Sequence, residues 1–180
     1  MSLCRVSLLL CVVVFLVPVY GMAQTTGGLL PGQAPISSGK VVILAVPDAK
    51  TPFDDVPVGG SGLKVAATIR DALVPRSLSP FTSDHELLAD GIKEARELAY
   101  DYVLKARIVE WLDYATAWSG RRDTVAISLE LYDLSGKLIS SATHRKQGSM
   151  MALTDSTPDR LVPETVRLAL LQLLTIPARR

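Results

Sequence analysis

Apolar positions along this chain change their spacing several times, and each spacing predicts an element. A continuous apolar run, LLLCVVVFLV at 8–17, follows Arg5 and stops at Pro18. A second run, KVVILAVP at 40–47, is short and β-branched, which predicts a strand buried on both faces. In GGSGLKVAATIRDALV the spacing turns helical: Leu63, Ala66, Ala67, Ile69 and Leu73 trace one stripe, with Ser61 placed to cap it. PRSLSPF at 75–81 holds two prolines, so it predicts a short strand only at a sheet edge. A second helical stripe runs through Leu87, Leu88, Ile92, Ala95 and Leu98, with Ser83 and Glu86 spaced as a capping box. Gly91 interrupts it at a cost of about 1 kcal/mol relative to alanine.

From Asp101 the period falls to two. Tyr102, Leu104, Ala106 and Ile108 share one face, and Lys105, Arg107, Val109 and Trp111 follow on the other. The alternation resumes at Val125, Ile127, Leu129 and Leu131, opposite Ala126, Ser128, Glu130 and Tyr132. YDLSGKL at 132–138 predicts a hairpin turn with Gly136 at a left-handed position. LISSATHRKQ returns as a third strand, and its small and polar residues suggest an exposed one. Thr157-Pro158-Asp159 opens a last helix, with Pro163 marking a fresh first turn and Pro177 ending it. The predicted order is β-α-β-α-β-β-β-α: an α+β domain with one mixed sheet and helices packed against it.

The start of the chain reads differently. Arg5, the apolar run, Pro18 and the small-residue exit at Gly21 and Ala23 form the pattern of a secretory signal over residues 1–23. Cleavage after Ala23 or after Gly21 predicts a periplasmic protein, while retention of the segment predicts a membrane-anchored one. Met22 stands where an acylated cysteine would. Residues 24–39, rich in Gly, Pro, Ser and Thr, read as a flexible linker, which leaves 40–176 as the single folded domain. Both cysteines, Cys4 and Cys11, lie in the leader, so the exported chain has no thiol for a disulfide, a zinc site or a nucleophile. Losing Arg5 takes the 19 basic residues to 18, level with the 18 acidic ones. That balance argues against a nucleic-acid partner, which would need a positive footprint.

Motifs for chemistry are sparse. Gly59-Gly60-Ser61-Gly62-Leu63 lacks the second flanking glycine of a nucleophile elbow, and only His85 and His144 could serve as base. The same glycines open a helix, where an anion could sit, but the P-loop spacing is absent. Asp48, Asp54 and Asp55 do not follow the twelve-residue calcium-loop pattern, and two scattered histidines give no zinc spacing. Glu110 and Glu130, on adjacent predicted strands, are the one carboxylate pair that glycosidase chemistry could use. No catalytic residue, metal ligand or cofactor is assigned.

Aromatic residues concentrate in one place. EWLDYATAWSGRRD at 110–123 holds both tryptophans of a chain that is only 6% aromatic. A helix over the sheet would bury Trp111, giving it a structural role. Trp118, Arg121 and Arg122 fall beyond the sheet at the hairpin end, and Trp and Arg are enriched at binding hot spots. These three form the candidate partner surface.

Taken together, VVILAVP, the Gly-rich helix entry, the aromatic hairpin (Tyr102, Trp111, Trp118, Gly120, Asp123, Tyr132, Gly136) and the closing TPDRLVPETVRLALLQLL resemble a bacterial family of small envelope lipoproteins carrying a domain of unknown function. That family is similar in fold to the amino-terminal domain of TolB and to the activators of penicillin-binding proteins. The resemblance implies a non-enzymatic binding or accessory module in the cell envelope, with another envelope protein or peptidoglycan as partner. A hydrolase using carboxylates and a small-molecule sensor are the alternatives.

Overall fold

The computed structural model describes residues 24–29, 36, 38–114, 121–148 and 157–174. Six strands and three helices follow in order: β1 (Gln24–Leu29), β2 (Gly39–Ile43), α1 (Ser61–Leu73), β3 (Leu78–Thr82), α2 (Leu88–Glu97), β4 (Tyr102–Leu112), β5 (Thr124–Asp133), β6 (Leu138–Gln147) and α3 (Pro158–Leu174). A 3-10 turn, Val74–Arg76, joins α1 to β3. All six strands form one mixed sheet in the order β1-β6-β5-β4-β2-β3. β2 is parallel to β3 and β4, and the remaining pairs are antiparallel. The expected α+β architecture is present.

Beside it stands an extra strand. Residues 24–29, read from composition as linker, pair antiparallel with β6 from Gln24↔Arg145 to Leu29↔Ser140. Composition misled because β6 would otherwise present an unpaired edge, and backbone pairing accepts Thr and Gly there as well as anything.

β2 is buried on both faces, as its continuous apolar run requires. Val41 and Ile43 join the larger core with α1 and α3, while Val42 and Leu44 meet Ala95 of α2 and Val103 on the opposite face. Gly91 has a packing reason for its place in α2: a Cβ there would lie 2.1 Å from Leu44 Cδ2. The glycine lets the helix settle onto the sheet.

Four more elements differ from what their sequence predicts. Ser61 is not the cap of α1. Gly60, at φ 80°, precedes the helix, and the buried Ser61 Oγ instead accepts the Ala49 N–H at 2.8 Å. Ser83 does not cap α2, which starts at Leu88. Its N–H donates to the Ile43 carbonyl, and the Ala45 N–H donates to the His85 carbonyl. These bonds carry the chain past the end of β3 in extended form before it can coil. Trp111 lies on the opposite face from the one its spacing implied, because β4 is irregular between Ile108 and Glu110. The extra residue of a bulge inverts the side-chain alternation beyond it. Trp111 thereby joins Leu104 and Ala106 in the larger core, 5% exposed, so its structural role stands. Finally, the small residues of β6 are buried rather than exposed. Ser140 and Ala142 let α3 approach, and the Ser140 hydroxyl donates to the Leu173 carbonyl at 2.9 Å.

Candidate functional site

The connection between β4 and β5 leaves the sheet after Leu112 and rejoins it at Thr124. Trp118 lies outside the described residues, while Arg121 and Arg122 lie within them. Arg121 is exposed, and its guanidinium sits 5.4 Å from the centre of the Tyr114 ring. Such an exposed cation-π contact contributes roughly 0.5–1 kcal/mol. The Tyr114 N–H donates to Asp123 Oδ1 at 2.7 Å, closing the neck of the hairpin. Asp123 is almost fully buried, and its carbonyl accepts the Gly148 N–H at 2.8 Å, which ties the neck to the end of β6. Arg122 is half-buried, and its carbonyl accepts the Thr124 hydroxyl at 3.2 Å. Burial, then the nearby Asp123 and Asp159, push the Asp113 carboxyl above its ordinary value.

The structure therefore brings Arg121 onto Tyr114, an aromatic residue of the 110–123 stretch that was not among the three candidates. The signal was present: Tyr114 and Arg121 flank the turn at nearly equal distances from the paired residues Leu112 and Thr124. Arg121 is exposed, with its guanidinium set against an aromatic ring.

Beside this hairpin neck, a cleft of about 200 Å³ lies between Asp48–Lys50 and the Ile108–Trp111 stretch of β4. It is smaller than the roughly 300 Å³ at which ligand pockets usually begin. Its polar groups are already engaged. Asp48 Oδ1 accepts the Gly62 N–H at 2.8 Å and Oδ2 accepts the Gly60 N–H at 3.1 Å. Those two N–H bonds hold the Asp48 carboxyl below its ordinary value, with the Ser61 hydroxyl adding a smaller effect. The glycine-rich helix entry considered for anions is thus filled by the protein's own carboxylate. Asp55 in the same acidic loop pairs with Lys50 at 2.7 Å.

The other face of the sheet is polar beyond α2. Arg145 clamps Glu110 with contacts of 2.6 and 3.2 Å over the buried Ala126. Tyr132 donates to Glu130 at 2.8 Å; burial first, then this carboxylate, raises the phenol to about 12. Glu110 faces Ala126, four residues before Glu130 on β5. At about 3.3 Å per residue the two backbone positions stand roughly 13 Å apart, and each carboxylate is held by its own partner, Glu110 by Arg145 and Glu130 by Tyr132. His85 is exposed on its loop, whereas His144 is buried under α3; burial, then Lys146, lowers its pKa. The two are not brought together with Ser61. Among the described residues, no group of His, Cys, Asp and Glu is arranged to hold a metal ion. No helix among them is long and apolar enough to cross a membrane.

Residues 35–168, the whole sheet-and-helix core apart from β1 and the last turns of α3, match the model of a family described as a domain of unknown function, DUF4823. The chain belongs to the DUF4823 family. Comparison with curated proteins finds no match. Among solved structures this DUF4823 chain is similar to the PelC dodecamer from Paraburkholderia phytofirmans, with 16% identity over 87% of this chain and 100% of that one, at a TM-score of 0.66. A single-substitution variant of that dodecamer gives 16% identity, 86% and 100% coverage, and a TM-score of 0.64. A Xanthomonas campestris protein of the DUF330 family covers 82% of this chain at 11% identity and a TM-score of 0.49. At these identities the likeness to PelC is one of fold.

Proposed function

We propose that this DUF4823 domain is an exported, non-enzymatic accessory module of the bacterial envelope. In this reading it binds another envelope protein or a cell-wall component through the hairpin end that carries Arg121, Arg122 and Trp118. The observation that carries the reading is the hairpin neck itself. Asp123 and Tyr114 fix its backbone from inside, and Arg121 is held outward on an aromatic ring. That is the arrangement of a pre-oriented contact residue, for which little side-chain freedom is lost on binding. The signal-like residues 1–23 support export, and the resemblance to envelope lipoproteins supports the compartment. The PelC fold, which occurs in a dodecamer, supports action through assembly.

The pairing of Glu110 with Arg145 and of Glu130 with Tyr132 weighs against a carboxylate hydrolase, and the cleft beside the neck is small for a sensor's ligand. Cross-linking in intact cells tests the proposal. A recurrent adduct with one envelope protein or with peptidoglycan is expected; exclusive capture of cytoplasmic proteins, or a hydrolytic activity in the purified chain, would overturn it.

A further inference from the structure

Strand register sets the start of β1 level with the loop that enters α1. Gln24 pairs with Arg145, Arg145 with Ala126 and Ala126 with Glu110. Glu110 in turn lines the cleft together with Asp48 and Lys50. One end of the domain therefore collects the start of β1, the loop before α1 and the neck of the hairpin. The leader joins the fold at this end. Because 24–29 is strand rather than linker, only the six residues 18–23 separate the apolar run at 8–17 from the sheet. Six residues span at most about 20 Å, so a leader held in a bilayer keeps this end of the domain within that reach of the lipid.

The loop before α1 carries a fixed apolar tip. Lys50 and Pro57 form an antiparallel bridge. The Thr51 N–H donates to the Val56 carbonyl at 2.8 Å, and the Val58 N–H donates to the Ala49 carbonyl at 2.7 Å. The Val56 N–H donates to the Thr51 hydroxyl at 3.1 Å. Phe53 stands out from this tip, 76% exposed, and Val56 is exposed beside it. Leu63 in the first turn of α1 and Val109 at the cleft are exposed at the same end. Single exposed apolar residues are ordinary, but several gathered where the leader enters make a surface suited to an apolar partner. Charge narrows the choice of attraction. Lys50 pairs with Asp55 at 2.7 Å, and Asp54 is exposed between Phe53 and that pair. Anionic headgroups gain nothing at such a tip, so the contact it offers is apolar.

We propose that the 51–56 tip docks on a lipid surface, with the retained leader as the attachment that brings it there. The leader holds the chain to the bilayer, and the tip fixes which way the domain faces. A short tether makes the second contact intramolecular, so a few apolar side chains seated at the boundary of headgroups and acyl chains suffice. The inference rests on export with the leader in place and concerns the loop, not the partner of the hairpin.

The test is photo-cross-linking of the full-length chain, leader included, reconstituted in vesicles of neutral phosphatidylcholine that carry a radiolabelled tracer lipid. p-Benzoylphenylalanine replaces Phe53 in one sample and Val74 in another. Val74 is a fair control, since it is 61% exposed and lies just past the far end of α1. Position 53 should yield at least fivefold more lipid adduct than position 74, with no loss in 1 M salt, because an apolar contact is not screened. Equal yields, no lipid adduct at position 53, or a cross-link there to a second copy of the chain in place of lipid would overturn the proposal. So would a yield that collapses in salt. If the position 53 variant does not fold, the same group at the exposed Val56 decides by the same outcomes. Failure here leaves the hairpin partner untouched, because capture in intact cells tests that separately.

Discussion

Replacing Gly62 with alanine should destabilise this domain, although the same change in an ordinary exposed helix adds about 1 kcal/mol. Gly62 is the second residue of α1 and is buried against the loop before it. A Cβ on Gly62 would stand 2.0 Å from the Val46 carbonyl oxygen and 3.1 Å from the Pro47 carbonyl carbon. These are backbone atoms, so no rotamer change relieves the contact; the loop must retreat from the helix. Overpacking of this kind costs roughly 1–3 kcal/mol. Retreat also stretches the 2.8 Å bond from the Gly62 N–H to Asp48, and a hydrogen bond to a charged group contributes about 1.5–3 kcal/mol. Set against the helix gain, the net loss should be roughly 2–4 kcal/mol. Urea unfolding followed by far-ultraviolet circular dichroism measures it, with Gly59→Ala as control, since nothing lies within 4 Å of a Cβ there. Equal or greater stability of Gly62→Ala would refute the docking of the Asp48 loop on the helix entry.

Other substitutions probe other parts of the fold. Trp111→Ala should cost about 3–5 kcal/mol by emptying a core site, read from the same urea curves; a loss below about 1 kcal/mol would mean that the ring is not packed in the core. Gly136→Val should cost more than about 1 kcal/mol, because Gly136 stands at φ 84° and a β-branched residue resists that region; an unchanged midpoint would contradict the turn. The N–H donors on Asp48 and the Ser135 contacts on Asp133 hold both carboxyls below their ordinary 3.8. Their contribution is therefore present above that pH and lost as the pH falls through the lowered values, so Asp48→Asn should flatten the acid limb of a melting-temperature profile. Asp113 has the opposite sign: raised by burial and by its acidic neighbours, it favours folding at low pH and loses that effect as the pH rises. Asp113→Asn should therefore raise the melting midpoint at neutral pH.

How much of this was legible in the sequence depended on what each pattern encodes. Period-two alternation located β4 and β5, and the doubly buried β2 followed from its unbroken apolar run, because side-chain burial alone sets those patterns. Helix starts were placed wrongly where the cap came from a distance. The carboxylate that serves the entry of α1 is Asp48, twelve to fourteen residues upstream, and α2 starts late because backbone bonds to β2 hold residues 83 and 85 extended. The face of Trp111 depended on a single bulge, which no periodicity announces. β6 read as exposed because small residues serve equally well at a surface and beneath a close helix. At the candidate site, the contact of Arg121 with Tyr114 needed the register across the hairpin.

Under the proposed function the hairpin end is a contact surface rather than only architecture. The most direct measurement compares, in intact cells, the cross-linked adduct formed by the parent chain with that formed by a variant carrying Trp118→Ala, Arg121→Ala and Arg122→Ala. Loss of the Arg121–Tyr114 contact should cost no more than about 1 kcal/mol of stability, leaving expression and melting close to the parent. The adduct should weaken by 2 kcal/mol or more in apparent affinity, about thirtyfold, if the end holds a hot spot. A stable variant that yields the parent adduct at full strength would contradict the claim and place the binding surface elsewhere on the domain.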